Sequence, residues 1–269
     1  VFSEYGFCYL SKEKSKNQID VVMLGDSVLN RIVNDLNDNL PANKYRVVNL
    51  SRGGSFYTPL GKYINLKNGK NRINENQDKH RTKYLEENSK DKIIIIGAKY
   101  RQHFIDYNFI YTNDFEKKKS LIELMFFKES LFQIGIKKAL SDFEKTLYKL
   151  LKNNTVILLY PFPEYKTHYL QSAHINDLLK NKSNLQLKPL TINKIEHNKN
   201  NLSIIKLFNN LEHKNLYKID PQNIFCDLNN CFFEKDDKPL YYDQIHLTEF
   251  GAKKINQKII SLIEEIEKK

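Results

Sequence analysis

The sequence lacks the long apolar runs that membrane-spanning proteins carry. No stretch approaches the roughly 20 consecutive apolar residues that a helix needs to cross a bilayer. The start, VFSEYGFCYLSKEKSKNQ, also lacks the basic beginning and apolar centre of a signal peptide, and it has no initiator Met. We therefore expect the chain to be a piece of a longer or processed protein.

Cysteine is scarce as well. Three residues, Cys8, Cys226 and Cys231, are too few for a fold that depends on a disulfide framework. Cys226 and Cys231, in FCDLNNCFF, lie close enough in sequence to bridge a short loop, although three reduced thiols fit the spacing equally well. Cys8 has no evident partner, and we expect it to stay unpaired.

Acidic residues are outnumbered by basic ones. The chain has 43 Lys and Arg against 32 Asp and Glu, which gives a net charge of +11 and a pI near 9.3. Such a balance raises the question of nucleic-acid binding. The lysines, however, are scattered over the whole chain, and no familiar nucleic-acid-binding module is visible. We therefore do not expect a nucleic-acid partner, because a basic surface suits polyanionic glycans or an anionic membrane surface equally well.

Short apolar runs alternate with longer amphipathic stretches along the chain. The runs predict strands buried on both faces at 19–24, 45–50, 93–97 and 155–160, with a weaker fifth candidate at 216–220. This alternation is typical of a mostly parallel sheet covered by helices on both sides, a three-layer α/β/α sandwich. Ligands bind at the carboxyl ends of the strands in such folds.

Two helices have clear sequence signals. Helical periodicity follows the first strand over 28–40, and it fills the end of the chain from Thr248. A third signal is the sequence SDFE at 141–144. It has the pattern of a capping box, which predicts that a helix begins there.

We expect one domain over 1–269, with polar segments inserted above the edge of the sheet. Residues 1–18 form an N-terminal extension, and the Lys- and Asn-rich segments 61–92 and 165–215 predict partly helical insertions. Residues 104–140 are interpreted in the same way. The Lys and Tyr residues of the two Lys-rich insertions are expected to build an open groove that favours an anionic glycan.

The first predicted strand stops at GDS, residues 25–27. Ser27 follows a strand and opens a helix, so we expect its hydroxyl at the sheet edge, near backbone N–H groups and the positive end of the helix dipole. This place suits a nucleophile. A serine or aspartate that merely caps the helix is an ordinary alternative, and the local sequence leaves both interpretations open.

The segment before the last helix, LYYDQIHLTEFGAKK, places Asp243 and His246 three residues apart. Residues i and i+3 of one turn are neighbours, so the carboxylate can hold one imidazole nitrogen. The other nitrogen is then left to take a proton from a serine. Taken alone, such a pair is more often solvent-exposed or a helix cap.

Together, GDS after the first strand and D-x-x-H-L-[ST]-x-x-G-A before the last helix resemble the SGNH (GDSL) hydrolase superfamily, over about residues 19–265. The resemblance implies a flavodoxin-like α/β/α fold and a catalytic triad of Ser27, Asp243 and His246. It also implies acyl-serine chemistry that needs no metal or nucleotide cofactor.

The same resemblance implies an oxyanion hole made by backbone N–H groups of Ser27 and of a glycine after the second strand. VVNLSRGGSFYTPL offers Gly53 or Gly54, and Gly53 is preferred on position. Members of the superfamily have an asparagine after the third strand, where this chain has Lys99. The candidates for the pocket rim are Asp26, Gly54, Lys99, Arg101 and Glu164.

A closer resemblance is to the SGNH domains fused to membrane acyltransferases of the acyltransferase-3 family. It is carried by GAKYR at 97–101, P-x-P-E at 161–164, the cysteines at 226 and 231, and the run KPLYYD-x-x-H-L-T. In those proteins a multi-span domain delivers acetyl groups across the membrane, and the SGNH domain passes them to a surface glycan such as lipopolysaccharide or peptidoglycan.

This closer resemblance implies an O-acyltransferase at the periplasmic or extracytoplasmic face, within a larger membrane protein. Its acyl donor would come from a membrane domain, expected on the same polypeptide, and its acceptor would be a glycan. A disulfide between Cys226 and Cys231 is implied too, since that compartment permits disulfides.

Other interpretations stay open. The same triad would serve a freestanding carbohydrate or lipid esterase, and a decayed oxyanion hole would leave a non-catalytic glycan-binding module. A metal site of Glu164, His168 and His174 is disfavoured, because the spacing fits no familiar zinc pattern. The remaining histidines are interpreted as surface or rim residues: His80, His103, His197 and His213.

Overall fold

The structure is a computed structural model that describes residues 8–9, 18–65, 75–87, 90–105, 109–112, 128–165, 191–236 and 238–268. The strands in this part of the chain are β1 Cys8–Tyr9, β2 Ile19–Gly25, β3 Tyr45–Asn49, β4 Lys62–Asn65, β5 Ile93–Gly97, β6 Phe109–Thr112, β7 Thr155–Leu159, β8 Thr191–Asn193, β9 Leu216–Ile219, β10 Asn230–Phe232, β11 Glu234–Lys235 and β12 Lys238–Pro239. The helices are α1 Asn30–Asn39, α2 Glu75–Glu87, α3 Tyr100–Phe104, α4 Lys128–Leu151, α5 Lys194–Asn200, α6 Leu202–Asn210, α7 Gln222–Phe225 and α8 Glu249–Glu267.

Six strands form the central sheet, in the order β1-β3-β2-β5-β7-β9. The last five pair in parallel, whereas β1 pairs antiparallel with β3. The predicted mostly parallel sheet is therefore confirmed, and each of the five predicted strands is present. The order β3-β2-β5-β7-β9 is that of flavodoxin-like folds, in which the chain starts in the middle of the sheet and reverses its direction of growth once.

The central strands bury side chains on both faces of the sheet. In β2, Val21 and Met23 belong to one core cluster, and Val22 and Leu24 belong to a second cluster on the opposite face. The four isoleucines of β5 divide in the same alternating way. Side chains alternate across a strand, so an uninterrupted apolar run is what a strand covered on both sides requires.

Helices cover the two faces in the pattern that right-handed crossovers produce. The first cluster receives Ile32 and Leu36 of α1 together with Ile255 and Ile259 of α8. The second cluster receives side chains from α2, α4 and α6, namely Leu85, Leu147, Ile204 and Phe208. The molecule is therefore a three-layer α/β/α sandwich, as the sequence predicts.

Helix α4 begins at Lys128, so the predicted helix start at 141–144 is wrong. The SDFE sequence lies inside the helix, and Asp142 is buried there and accepts a hydrogen bond from Tyr111 Oη at 3.1 Å. A capping pattern marks a helix end only when the preceding residues leave the helix. Here Phe132 and Ala139 are buried, which is consistent with a helix that continues through the pattern.

No helix in the described ranges is both long and apolar enough to cross a bilayer.

Parts of the predicted insertions belong to the core instead. Helix α6, inside 165–215, connects β7 to β9 and buries Ile204 and Phe208 completely. Helix α2, inside 61–92, buries Leu85 in the second cluster. Residues 66–74, 113–127 and 166–190 lie outside the described part of the chain.

Two of the four histidines assigned to the surface or rim are buried, so that assignment is wrong for them. His103 is 2% exposed and His197 is 1% exposed. Burial disfavours the charged imidazole, and it lowers the pKa of His197 to about 4. Both residues are polar and lie in short helices, so hydrophobic periodicity does not predict that they are buried.

Cys226 and Cys231 form a disulfide across the turn that leads into β10. β10 pairs antiparallel with β8, and Cys231 is fully buried in the first cluster. The side chain of Cys8 lies outside the described part of the structure, so its unpaired state stays a prediction.

Loss of this disulfide should destabilise the fold modestly, because the loop that it closes is short. The double variant Cys226→Ala/Cys231→Ala should lower the free energy of unfolding by about 2 kcal/mol, measured by urea denaturation. Cys8→Ala is the control. Equal unfolding curves with and without reductant would contradict a stabilising disulfide.

Candidate active site

Ser27 lies at the carboxyl edge of the sheet, directly after β2. It opens a 3-10 turn, Ser27–Leu29, that leads into α1. A glycine is needed at the end of β2, because a Cβ on Gly25 would lie 1.8 Å from the carbonyl oxygen of Gly97. β2 has β3 on one side and β5 on the other. Ser27 therefore stands where the order of strands reverses, which is the place where open α/β sheets bind ligands.

Hydrogen bonds between its two ends close the loop before α8. The Thr248 hydroxyl accepts a hydrogen bond from the Gly251 N–H at 3.1 Å, and the Thr248 N–H donates to the Leu240 carbonyl at 3.0 Å. Tyr241 and Leu247 pair as an isolated bridge between these points. A Cβ on Gly251 would lie 2.1 Å from the Leu240 oxygen, so glycine is required for this closure. Residues 242–246, in the middle of the loop, are thereby held above the sheet edge.

Asp243, His246 and Ser27 form one hydrogen-bonded line. His246 Nδ1 lies 2.6 Å from Asp243 Oδ2, and His246 Nε2 lies 2.8 Å from Ser27 Oγ. The other oxygen of Asp243 accepts the backbone N–H groups of Ile245 at 2.9 Å and of His246 at 2.8 Å. Because an ionised carboxylate only accepts, Nδ1 carries a proton, and Nε2 of the neutral ring is free to accept the proton of the Ser27 hydroxyl.

The environment of Asp243 keeps it ionised. Burial alone would raise its pKa, but the hydrogen bonds from Ile245 and His246 outweigh burial and hold the pKa of Asp243 below its ordinary value. An anion at this place stabilises the imidazolium that forms when His246 takes a proton. Tyr242 stacks on the His246 ring, with centroids 5.5 Å apart and planes 15° apart. Sequence reasoning missed Tyr242, whose only signal is its place beside Asp243.

The loop after β3 brings Gly53 beside Ser27. A Cβ on Gly53 would lie 3.9 Å from the Cβ of Ser27, whereas one on Gly54 would have no atom within 4 Å. Gly54 has a φ of 68°, a backbone conformation that favours glycine. The N–H of Arg52 donates to the carbonyl of Gly25 at 3.0 Å and fixes the loop to the end of β2. Gly53 is thus next to the serine, and Gly54 shapes the turn.

Over residues 2–261 the sequence matches the family model described as "SGNH domain (fused to AT3 domains)". The chain belongs to this family. The resemblance inferred from the motifs is therefore confirmed. A search of curated proteins finds no match.

Solved structures share the fold of this SGNH domain at low sequence identity. The periplasmic domain of the Salmonella serovar Paratyphi A lipopolysaccharide acetyltransferase is similar with a TM-score of 0.50 and 18% identity, covering 91% of this chain and 85% of that one. The C-terminal catalytic domain of Streptococcus pneumoniae peptidoglycan O-acetyltransferase A, with a methylsulfonyl adduct, gives a TM-score of 0.40 and 12% identity, with 93% and 96% covered.

Asp26 does not line the pocket of this SGNH domain, contrary to the expectation from sequence. It is 2% exposed. Its carboxylate accepts the N–H groups of Val28 and Lys99, both at 2.9 Å, and contacts His103 Nε2 at 2.8 Å. Burial raises the pKa of Asp26, yet His103 and the two N–H groups outweigh it, so the pKa lies below its ordinary value. Asp26 is therefore both a helix cap and a buried anion under the serine turn.

Lys99 stands where the SGNH resemblance would place an asparagine. Its ammonium lies 2.6 Å from Glu164 Oε1. With Ser27, Gln102 and His246, it lines a cavity of about 110 Å³. A cavity of this size holds an acyl group as small as acetyl.

A second cavity, of about 160 Å³, adjoins the first one. Arg101, Glu164, Tyr165 and Asn200 are among the residues that line it, and Gln244 lines both cavities. Arg101 is exposed at the start of α3. Glu164 and Arg101 therefore line the second cavity, whereas Lys99 lines the cavity beside Ser27.

Three lysines of segment 61–92 line a different surface. Lys62, Lys79 and Lys83 border a cavity of about 900 Å³ that lies along α2 and α4. Ser27 and His246 are not among the residues that line it. Among the described residues, these lysines therefore border a groove along α2 and α4 and not the site at Ser27. Residues 66–74 and 166–190 of the two insertions lie outside the described ranges, so the groove expected at the serine stays a prediction.

The metal interpretation receives no support from the residues that the structure describes. Among them, no group of three or more His, Cys, Asp or Glu side chains could hold a metal ion. Glu164 is paired with Lys99. His168 and His174 lie outside the described ranges.

Proposed function

We propose that this domain is an O-acyltransferase, most simply an O-acetyltransferase, that passes an acyl group through an acyl-serine on Ser27 to a hydroxyl of a cell-surface glycan. The observation that carries the proposal is the hydrogen-bonded line from Asp243 through His246 to Ser27. It ends at a small cavity at the carboxyl edge of the sheet.

The first half-reaction forms the acyl-serine. His246 Nε2 takes the proton of the Ser27 hydroxyl as Oγ attacks the acyl carbonyl carbon, and the carbonyl oxygen becomes an oxyanion. The tetrahedral intermediate then breaks its bond to the leaving group, which takes the proton from His246. Asp243 stabilises the imidazolium between these two proton transfers.

The second half-reaction transfers the acyl group. A sugar hydroxyl gives its proton to His246 and attacks the acyl-serine carbon. Ser27 leaves and recovers the proton from His246. Water can take the place of the sugar hydroxyl, and the product is then the free acid.

The oxyanion is stabilised by donors near Ser27. The backbone N–H groups of Ser27 and Gly53 are the proposed pair, and each preorganised donor contributes about 3 kcal/mol to the transition state. A Cβ built on Gly53 would lie 3.9 Å from the Cβ of Ser27, and this proximity supports the part of Gly53 in the pair. Lys99 lines the same cavity, but its ammonium is paired with Glu164 at 2.6 Å, so the proposed donors are the two backbone N–H groups.

Membership of this family favours acyl transfer to a glycan over hydrolysis. Members of this family are SGNH domains fused to AT3 domains. The resemblance to such proteins implies that the membrane domain delivers the acyl group to the attached SGNH domain. The solved lipopolysaccharide acetyltransferase domain guides the choice of acceptor class and of compartment. We infer a place at the extracytoplasmic face of a bacterial membrane, with the acyl donor supplied by a membrane domain of the same polypeptide.

Product analysis separates transfer from hydrolysis. The domain is given an activated acetyl ester with and without glycans from the source envelope, and acetylated sugar and free acetate are measured by mass spectrometry. An acceptor should raise acetylated sugar and lower the acetate formed per ester consumed. Weak hydrolysis without an acceptor is expected, because water reaches the acyl-serine.

Two results would contradict the proposal. If every glycan leaves the acetate yield unchanged and acetylated glycan is deacetylated rapidly, the protein is an esterase. If no acyl-serine forms at all while glycan binds, it is a binding module.

A further inference from the structure

A second carboxylate–imidazole pair lies under the turn that carries Ser27. Asp26 Oδ2 and His103 Nε2 are 2.8 Å apart, and each residue is 2% exposed. The reaction steps proposed for Ser27 and His246 give this pair no task. A buried pair of this kind needs an explanation, because burying ionisable groups is costly unless they serve each other.

The direction of the hydrogen bond follows from chemistry. An ionised carboxylate can only accept, so His103 donates its Nε2–H to Asp26. The same carboxylate accepts the N–H of Val28, one residue after the serine, and the N–H of Lys99, two residues after the end of β5. His103 itself lies on α3, four residues beyond Lys99. The Asp26–His103 pair thus joins the serine turn to the segment that follows β5.

The third loop of the site also contacts this pair. Phe56, three residues after Gly53, stacks on the His103 ring with centroids 5.5 Å apart and planes 29° apart. Phe56 is itself 1% exposed, so its ring is fixed by the core. One imidazole therefore contacts the serine turn through Asp26, the Gly53 loop through Phe56, and the segment after β5 through its own helix.

We propose that His103 is a positioning residue, whose hydrogen bond to Asp26 and stacking on Phe56 set the position of Ser27 relative to the Gly53 loop and Lys99. The inference rests on the proposed acyl-serine function, and it adds a residue that acts through others. Donors that stabilise an oxyanion act over a narrow range of distance, and a displacement of about 1 Å can cost about 100-fold in rate.

Two substitutions of His103 separate its hydrogen bond from its bulk. His103→Gln keeps a donor where Nε2 stands, whereas His103→Phe keeps a ring against Phe56 and removes the donor. We expect His103→Phe to lower kcat for an activated acetyl ester by about 100-fold, with KM changed by less than about threefold. His103→Gln should stay within about tenfold of the wild type in kcat. His213→Gln is the matched control, because His213 precedes β9 and lies at the amino ends of the strands, away from Ser27.

The readout is kcat for each folded, active molecule. The folded fraction is taken from thermal unfolding, and the reactive fraction from stoichiometric labelling of Ser27 by a sulfonyl fluoride. A residue that only stabilises the fold would reduce these fractions and leave kcat per labelled site unchanged. That outcome, or equal kcat values for His103→Gln and His103→Phe, would overturn the proposal.

A second pair of variants tests the role of His103 if His103→Phe does not fold. Asp26→Ala removes the acceptor of His103 together with that of Val28 and Lys99, so its kcat should fall about 100-fold while His103→Gln stays near the wild type. Equal kcat values in these two variants would overturn the role of His103. A wild-type protein that forms no acyl-serine would instead contradict the proposed function.

Discussion

Replacing Ser27 with alanine should abolish both acyl-enzyme formation and hydrolysis of an activated acetyl ester. Its Oγ lies 2.8 Å from His246 Nε2, which is the distance needed for direct proton transfer. Without that oxygen no covalent intermediate can form, and only binding and oxyanion donors remain. We expect kcat/KM to fall by about 10⁶-fold, with no acetyl group added to the protein in intact-mass measurements.

The control for this variant is Ser261→Ala, an exposed serine on α8. Both variants should unfold at nearly the temperature of the wild type, because Ser27→Ala removes a half-buried hydroxyl and leaves the Asp26 cap intact. Ester hydrolysis by Ser27→Ala at the wild-type rate would remove Ser27 from the mechanism. The acyl-serine would then have to be sought on another residue.

The parts of the site that could be predicted from the sequence are those whose geometry is local. A buried strand that stops at Gly25 and continues into a helix puts Ser27 at the sheet edge, whatever the rest of the chain does. Asp243 and His246 are three residues apart, so one turn suffices to bring their side chains together. The contact between Ser27 and His246 spans 219 residues. This contact could still be predicted, because parallel strands place the ends of both segments at one edge of the sheet. Both motifs also match one family.

The buried support of the site could not be predicted in this way. His103 lies on a helix of five residues, too short for a periodic pattern, and its partner Asp26 is 77 residues away. Only the fold brings the two together, and a polar residue in a short helix gives no local sign of burial. The misplaced helix start at 141–144 has a related cause. Helix α4 packs against the core and continues through a sequence that, taken alone, predicts a helix start.

Lys99, which stands where the superfamily has an asparagine, connects the cavity at Ser27 with the buried support of the site. In sequence it is a mismatch to the family pattern. In the structure, its backbone N–H donates to the buried Asp26 while its side chain reaches Glu164. The backbone of this position therefore belongs to the positioning network, and the side chain belongs to the cavity. A substitution that shortens the side chain should change the cavity and leave the network in place.

Asp243→Asn should lower kcat by about 10⁴-fold while the fold and KM stay nearly unchanged. In the wild type, Oδ1 accepts the N–H groups of Ile245 and His246, and Oδ2 accepts the Nδ1–H of His246. An asparagine keeps its oxygen on the two backbone donors, since turning the amide would set donor against donor. Its NH₂ group then donates to His246 Nδ1. The ring must carry its proton on Nε2, and from there it cannot accept the proton of Ser27.

The tautomer gives this prediction a readout independent of rate. In ¹⁵N NMR spectra, the His246 proton should lie on Nδ1 in the wild type and on Nε2 in Asp243→Asn. Asp38→Asn, on the exposed face of α1, is the control for the loss of one negative charge and should leave both the spectrum and kcat unchanged. If Asp243→Asn kept kcat within tenfold of the wild type, the carboxylate would not orient the imidazole. The hydrogen bond of 2.6 Å between them would then serve only to hold the loop before α8.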